Sequence, residues 1–256
     1  MKSHNNPMTF RALSLATGVA LASLAAPLAA QAEITGNLGI YSKYVLRGIT
    51  NTPAENDNTA VQGGIDWTHS SGVYLGYWGS NLSYASGTAA TPTGFENDVY
   101  GGYSFSAGPV NLSFGAIYYV YLDIDDSNTF EAVASAGIGP VTLGMKYLTE
   151  DVAWGNKGDI YWTADFEQKL PKDFTFGASL GYYTYDDTDP GSAAEPNLIA
   201  PGTTTENSAF RHLNLSLSHP LGATGADMSI TYVIGGKNRS GIEQRDTVVL
   251  GLSTTF

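Results

Sequence analysis

The sequence contains no cysteine. Disulfides, thiolate metal sites, cysteine nucleophiles and a lipid-modified N-terminal cysteine are therefore excluded. Positive charge is scarce: 12 Lys and Arg stand against 24 Asp and Glu, a formal net charge of -12. Phosphate binding needs a basic surface, so no nucleic acid is expected as partner. Histidine is sparse as well, and beyond residue 32 only His69, His212 and His219 remain. Past that point no stretch holds 18 uninterrupted apolar residues, so no membrane-crossing helix is expected. Glycine-rich phosphate loops are missing too. Gly63-Gly64 and Gly101-Gly102 fall inside strand-like runs, where lack of bulk allows bending or close packing.

What is abundant points one way. The 30 glycines weaken helices, and the 16 tyrosines favour strands and membrane interfaces. Residues 1–32 read as a secretory signal: Lys2 and Arg11 are followed by an Ala/Leu run, and Ala30-Gln31-Ala32 forms an Ala-x-Ala cleavage site before Glu33. Met8 is an alternative start, because residues 8–32 already form a complete signal. The mature chain is expected to be a single domain, 33–256. An exported chain without a helical span can still cross a membrane, but only as a closed barrel.

Period-two alternation runs through that chain. Residues 110–122, VNLSFGAIYYVYL, are the clearest case. Val110, Leu112, Phe114, Ala116, Tyr118, Val120 and Leu122 share one face, and Asn111, Ser113, Gly115, Ile117, Tyr119 and Tyr121 the other. Further strands are expected near 34–48, 61–69, 73–84, 97–106, 130–138, 141–149, 159–169, 174–185, 210–219, 228–234 and 247–256. Twelve is even, as a single-chain barrel requires. Short turns such as Ala107-Gly108-Pro109 alternate with long loops, the longest near 186–208, and acidic residues gather in the long ones. The turn PLGATGAD is long for its end. Outward aromatics near strand ends (Tyr44, Trp67, Tyr118, Trp162, Tyr182) fit interfacial girdles. A β-sandwich also alternates, yet it has no reason to sort loop length and charge onto one end. The expected fold is all-β: a transmembrane antiparallel up-and-down barrel of about 12 strands, in the bacterial outer membrane.

The last strand ends on Phe256 itself. It resembles the terminal strand of bacterial outer-membrane barrels, which the barrel assembly machinery reads. A wider resemblance is carried by YSKYVLRGIT (41–50), AVQGGIDWTHSSGVYLGYWGSN (60–81), ENDVYGGYSF (96–105), AIYYVYL (116–122), FEAVASAGIGPVTLGMKY (130–147) and GYYTYDD (181–187). On these segments the chain is similar to the TorF family of porins. The likeness implies a Gram-negative outer-membrane β-barrel and brings no catalytic or ligand residue with it. Its implied partners are outer-membrane lipid and lipopolysaccharide, periplasmic chaperones, the assembly machinery and small hydrophilic solutes.

Inward parity collects the ionisable groups. The expected pore-lining residues are Lys43, Arg47, Asp66, Glu131, Lys146, Asp165, Glu167, His212, Glu243 and Arg245. Arg47 and Arg245 are expected to meet across the barrel closure, with Glu243 beside them. Such charges select solutes in an open pore, or form an ion-pair network in a closed one. Two functions follow: passive diffusion of small hydrophilic solutes or ions, or a closed structural or adhesive barrel acting through its acidic loops. Acidic loops at the entrance favour cations or neutral solutes, although a basic constriction would reverse that preference. Enzymatic activity, a cofactor and a metal are not expected. Ser70 and Ser71 beside His69 lie in a short turn, and Asp186, Asp187 and Asp189 match no calcium-loop spacing.

Overall fold

Alternating runs become strands because each residue in them faces either lipid or lumen, and nothing else. A computed structural model describes residues 32–50, 59–82, 94–186 and 204–256. The expected leader, Ala32 apart, lies outside the described residues. So do most of the loop expected at 186–208 and the acidic positions Glu55, Asp57, Asp187, Asp189 and Glu195.

The elements are β1 (Glu33–Tyr41), β2 (Val45–Leu46), β3 (Ile49–Thr50), β4 (Ala60–Thr68), β5 (Val73–Asn81), β6 (Phe95–Ala107), β7 (Val110–Leu122), β8 (Thr129–Ile138), β9 (Val141–Leu148), β10 (Ile160–Lys169), β11 (Thr175–Thr184), β12 (Ser208–Pro220), β13 (Ala226–Gly235) and β14 (Thr247–Thr255). β1 and β4–β14 pair in sequence, all antiparallel, and β14 returns to β1 to close a barrel of twelve strands. The seam runs from Asn37↔Thr255 to Tyr41↔Gly251. Beyond it, the backbone of Phe256 exchanges two hydrogen bonds with Gly36, at 2.7 and 2.9 Å. The Phe256 ring covers Gly36, where a Cβ would come within 2.5 Å of it. Closure satisfies every ladder of the wall, as a hydrocarbon environment demands.

Burial follows parity. Leu38, Ile65, Val99, Phe114, Leu143, Ile230 and Leu250 all point outward and are exposed. They make an apolar belt, on strands whose length suits a bilayer crossing. Aromatic groups edge it. At the long-loop end Tyr182 donates to Ser208 (2.8 Å), the Trp162 indole donates to Thr184 (3.2 Å), and Tyr118 stacks on Phe130 with centroids 4.3 Å apart. At the short-turn end Trp67 stacks on His69, and Phe174 packs on His219. This is a transmembrane β-barrel. The turn expected to be long, from Leu221 to Gly225, is only as long as the β10–β11 turn at the same end, and a Leu221 N–H to Ala226 carbonyl bond of 2.8 Å closes it.

The expected first strand is the one that departs from its forecast. The strand ladder ends at Tyr41, with a last bond from the Ser42 N–H to the Leu250 carbonyl at 2.8 Å, and residues 45–50 form a separate hairpin, β2–β3. Its two-residue loop is Arg47-Gly48, with φ of 48° and 81°. Positive φ at both positions is what a tight hairpin of matching twist requires. Glycine adopts it freely, whereas an arginine there is uncommon and costs on the order of 1 kcal/mol. Tyr44, expected in the outer girdle, is instead buried inside, where its hydroxyl donates to Glu96 at 2.5 Å. The hairpin has folded into the lumen.

Candidate functional site

The hairpin tip crosses the barrel. It leaves the wall between β1 and β4, yet Arg47 meets residues of β7, β8, β10 and β11, on the far side of the ring. Its guanidinium forms an ion pair of 2.7 Å with Glu131. It also donates to the Tyr119 hydroxyl at 3.3 Å and to the Tyr183 hydroxyl. Tyr119 in turn donates to the same Glu131 oxygen at 2.7 Å. Three aromatic faces surround the guanidinium: Tyr161 at 4.7 Å, and Trp154 and Tyr183 at 5.7 Å each. Arg47 is 5% exposed and Glu131 1%.

Two further arginines lie beside this crossbar. Arg211 donates from Nε to the Arg47 carbonyl at 3.3 Å and from a terminal nitrogen to the Lys237 carbonyl at 3.2 Å. A bulge puts it there. Gly181 pairs with His212 and Tyr182 with Phe210, so Arg211 is an extra residue on β12. The bulge lets two consecutive side chains, Arg211 and His212, both turn inward. Gly48 packs on this bulge, where a Cβ would lie 2.6 Å from the Arg211 carbonyl oxygen. Arg239, from the β13–β14 connection, pairs with Asp159 at 2.7 Å, takes a 2.8 Å bond to Thr204 and lies over the Tyr185 ring at 4.9 Å.

The expected lining residues fall at different levels. Arg47, Glu131 and His212 belong to the buried layer, and the His212 Nε2 lies 2.6 Å from the Tyr161 hydroxyl. Lys146 pairs across the ladder with Val133 and Tyr161 at that same level. Lys43 sits at the barrel closure and donates to Thr247 at 2.6 Å. Asp66 accepts from Tyr100, and Asp165 from Ser179 and Thr163, on inward positions nearer the short turns. Glu167 is half-buried, one inward position further down β10. Glu243 and Arg245 are not brought to Arg47. Both are exposed in the connection before β14, because β14 begins only at Thr247.

Parity reading missed Glu96, Asp98, Arg211, Asp159 and Arg239, all of them buried. A signal existed for two of these. Phe95 and Val99 face out, so Glu96 and Asp98 between and beside them face in. No local signal marks the bulge, or the two loop residues that pair 80 positions apart.

The lower lumen is of another kind. Ser104, Ser113, Ser135, Thr142, Ser179, Asn214, Ser216, Ser218 and Thr231 share the inward faces of their strands with Asp66, Asp165 and Glu167. In the turn at residues 69–72, Ser71 Oγ lies 2.8 Å from His69 Nδ1 and the Ser71 N–H donates to the same nitrogen at 3.1 Å, closing the turn. Among the described residues no group of three or more His, Asp or Glu is placed to hold a metal ion.

Comparison with known proteins agrees with this architecture. A solved KdgM porin matches with a TM-score of 0.52 at 10% identity, covering 87% of this chain and 99% of that one. The KdgM porin in complex with disordered oligogalacturonate matches with a TM-score of 0.50, also at 10% identity, covering 88% and 99%. At such identity the likeness is one of fold. No curated protein matches the chain. A closed barrel with an outward apolar belt is the architecture of an outer-membrane protein. A family model described as "Bacterial protein of unknown function (Gcw_chp)" matches residues 25–194, and the chain belongs to that family.

Proposed function

We propose that the chain is an outer-membrane channel for passive diffusion of small hydrophilic solutes or ions, with its long loops outside the cell. The observation that carries this reading is the lower lumen. A barrel made only to be a rigid wall has no need of an inner face of hydroxyls, amides and carboxylates, whereas a polar interior is the rule in channel-forming barrels. The fold shared with KdgM porins and the sequence resemblance to the TorF porins support the same reading. What narrows the passage is a loop hairpin rather than the wall itself, and loops can move where ladders cannot. The pore-lining set within this reading is Lys43, Arg47, Asp66, Glu131, Lys146, Asp165, Glu167 and His212, with Glu243 and Arg245 at the loop entrance.

A closed structural or adhesive barrel is the second reading, and the buried Arg47–Glu131 crossbar is the observation that favours it. Planar-bilayer recording separates the two. The wild-type barrel is expected to conduct in brief openings, and a salt gradient to give a mildly cation-selective reversal potential at low salt. Silence from correctly folded barrels, both intact and with the hairpin cut out, would leave only the closed reading. Maturation belongs to the same proposal: the leader is removed after Ala32, and mass spectrometry of the purified protein should find Glu33 at the N-terminus.

A further inference from the structure

The surroundings of Arg47 gather the groups that recognise an organic cation. Recognition of such a group takes a carboxylate for the charge, hydroxyls for its N–H donors and aromatic faces for the ring-on-cation attraction. All three are present around one point. Glu131 supplies the carboxylate, Tyr119 and Tyr183 the hydroxyls, and Tyr161, Tyr183 and Trp154 the faces. The receptor is not made by the hairpin that fills it. Tyr119, Glu131, Tyr161 and Tyr183 stand on β7, β8, β10 and β11, joined through β9 into one unbroken run of paired strands. Trp154 comes from the β9–β10 connection, and its indole is anchored to the Ser127 carbonyl at 3.0 Å. Glu131 also accepts from the Tyr119 hydroxyl of the neighbouring strand at 2.7 Å, a contact that does not involve the hairpin. The occupant, by contrast, arrives from the opposite wall on a two-residue loop.

We propose that this cage is a binding site for guanidinium-bearing or similar small organic cations in transit, and that Arg47 is its tethered internal occupant. Resting on the channel reading, the proposal names the class of solute that would open the passage. A cationic solute competes with Arg47 for Glu131 and the aromatic faces. When it wins, the hairpin is released from the far wall. An internal competitor on a short tether acts at millimolar effective concentration, so the wild-type cage accepts free ligand only weakly. Removing the competitor restores the intrinsic affinity, just as a rarely populated competent state hides it.

The test uses the refolded full-length barrel in detergent, with N-ethylguanidinium as probe and propionate as an anion of comparable size, at constant ionic strength. Binding is read from tryptophan fluorescence, with Trp154→Phe assigning the signal, and from the thermal midpoint. Arg47→Ala is expected to bind N-ethylguanidinium at least about tenfold more tightly than wild type. The probe should recover part of the midpoint that the substitution loses. Adding Glu131→Gln to Arg47→Ala should abolish both effects. Arg47→Gln keeps much of the side-chain length without the charge, and gives the same reading where Arg47→Ala does not assemble. Equal affinity in wild type and variant, rescue by propionate as strong as by the cation, or binding indifferent to Glu131→Gln would each overturn the proposal. Because no current is measured, its failure is distinct from failure of the channel reading. A barrel that binds the cation and never conducts retains the cage and loses the channel.

Discussion

The two halves of this lumen obey opposite rules. Toward the long loops the interior is packed like a protein core that happens to be charged: Arg47 with Glu131, Arg239 with Asp159, and tyrosines filling the space between. Toward the short turns it is lined by hydroxyls, amides and carboxylates that bond to one another, Ser104 to Ser113 at 2.8 Å and Tyr100 to Asp66, with no ion pair among the described residues. The wall is the same in both, since the strands are continuous. The difference comes from what the long connections do, because only they can enter the barrel, where Arg47 is neutralised by Glu131 of the wall and Arg239 by Asp159 of another connection. Buried charges are tolerated where partners are complete, and removing one partner is costly. A neutral hydroxyl hydrogen bond is worth less, and losing one costs less.

Four changes break or sharpen that contrast, in falling order of effect. The largest is expected from deleting Phe256, which completes the β14–β1 seam at Gly36, at the short-turn end. The residue is 79% exposed, so the expected loss is one of the seam rather than of core packing. The truncated chain should fail to reach the membrane, and normal yield with heat-modifiable gel migration would contradict this. Next, replacing residues 44–50 by a short Gly-Ser link should make the upper half resemble the lower one. Single-channel conductance should rise several-fold, and an unchanged value would show that the hairpin is not the constriction. Third, Glu131→Ala leaves the Arg47 guanidinium buried without its carboxylate, and should cost about 3–5 kcal/mol in a denaturant titration. Last, Ser135→Ala in the lower half should change stability by less than about 1 kcal/mol and leave conductance near wild type.

Much of this was legible in the chain as written. Side-chain period two, read from Val110 to Leu122, placed every face of β7 correctly, because a pleated strand between lipid and lumen has no third environment. The same rule found the other strands and the terminal one. It failed at residues 42–50, where Tyr44 and Leu46 alternate with Lys43 and Arg47 as a wall strand would. A hairpin arm inside the lumen has the same period, so local pattern cannot tell the two apart. It failed again at Arg211, since a bulge leaves no mark in the alternation.

By itself, then, the sequence determined a closed barrel of twelve strands, its lipid-facing belt and the sorting of its connections, because those depend on neighbours along the chain and on the solvent each face must meet. Only the tertiary structure decided that Arg47 would end at Glu131, 84 residues away, inside a ring of tyrosines. That contact spans the full width of the barrel. It depends on the diameter that closure imposes and on a loop length set against it, and neither is written in any local stretch of residues.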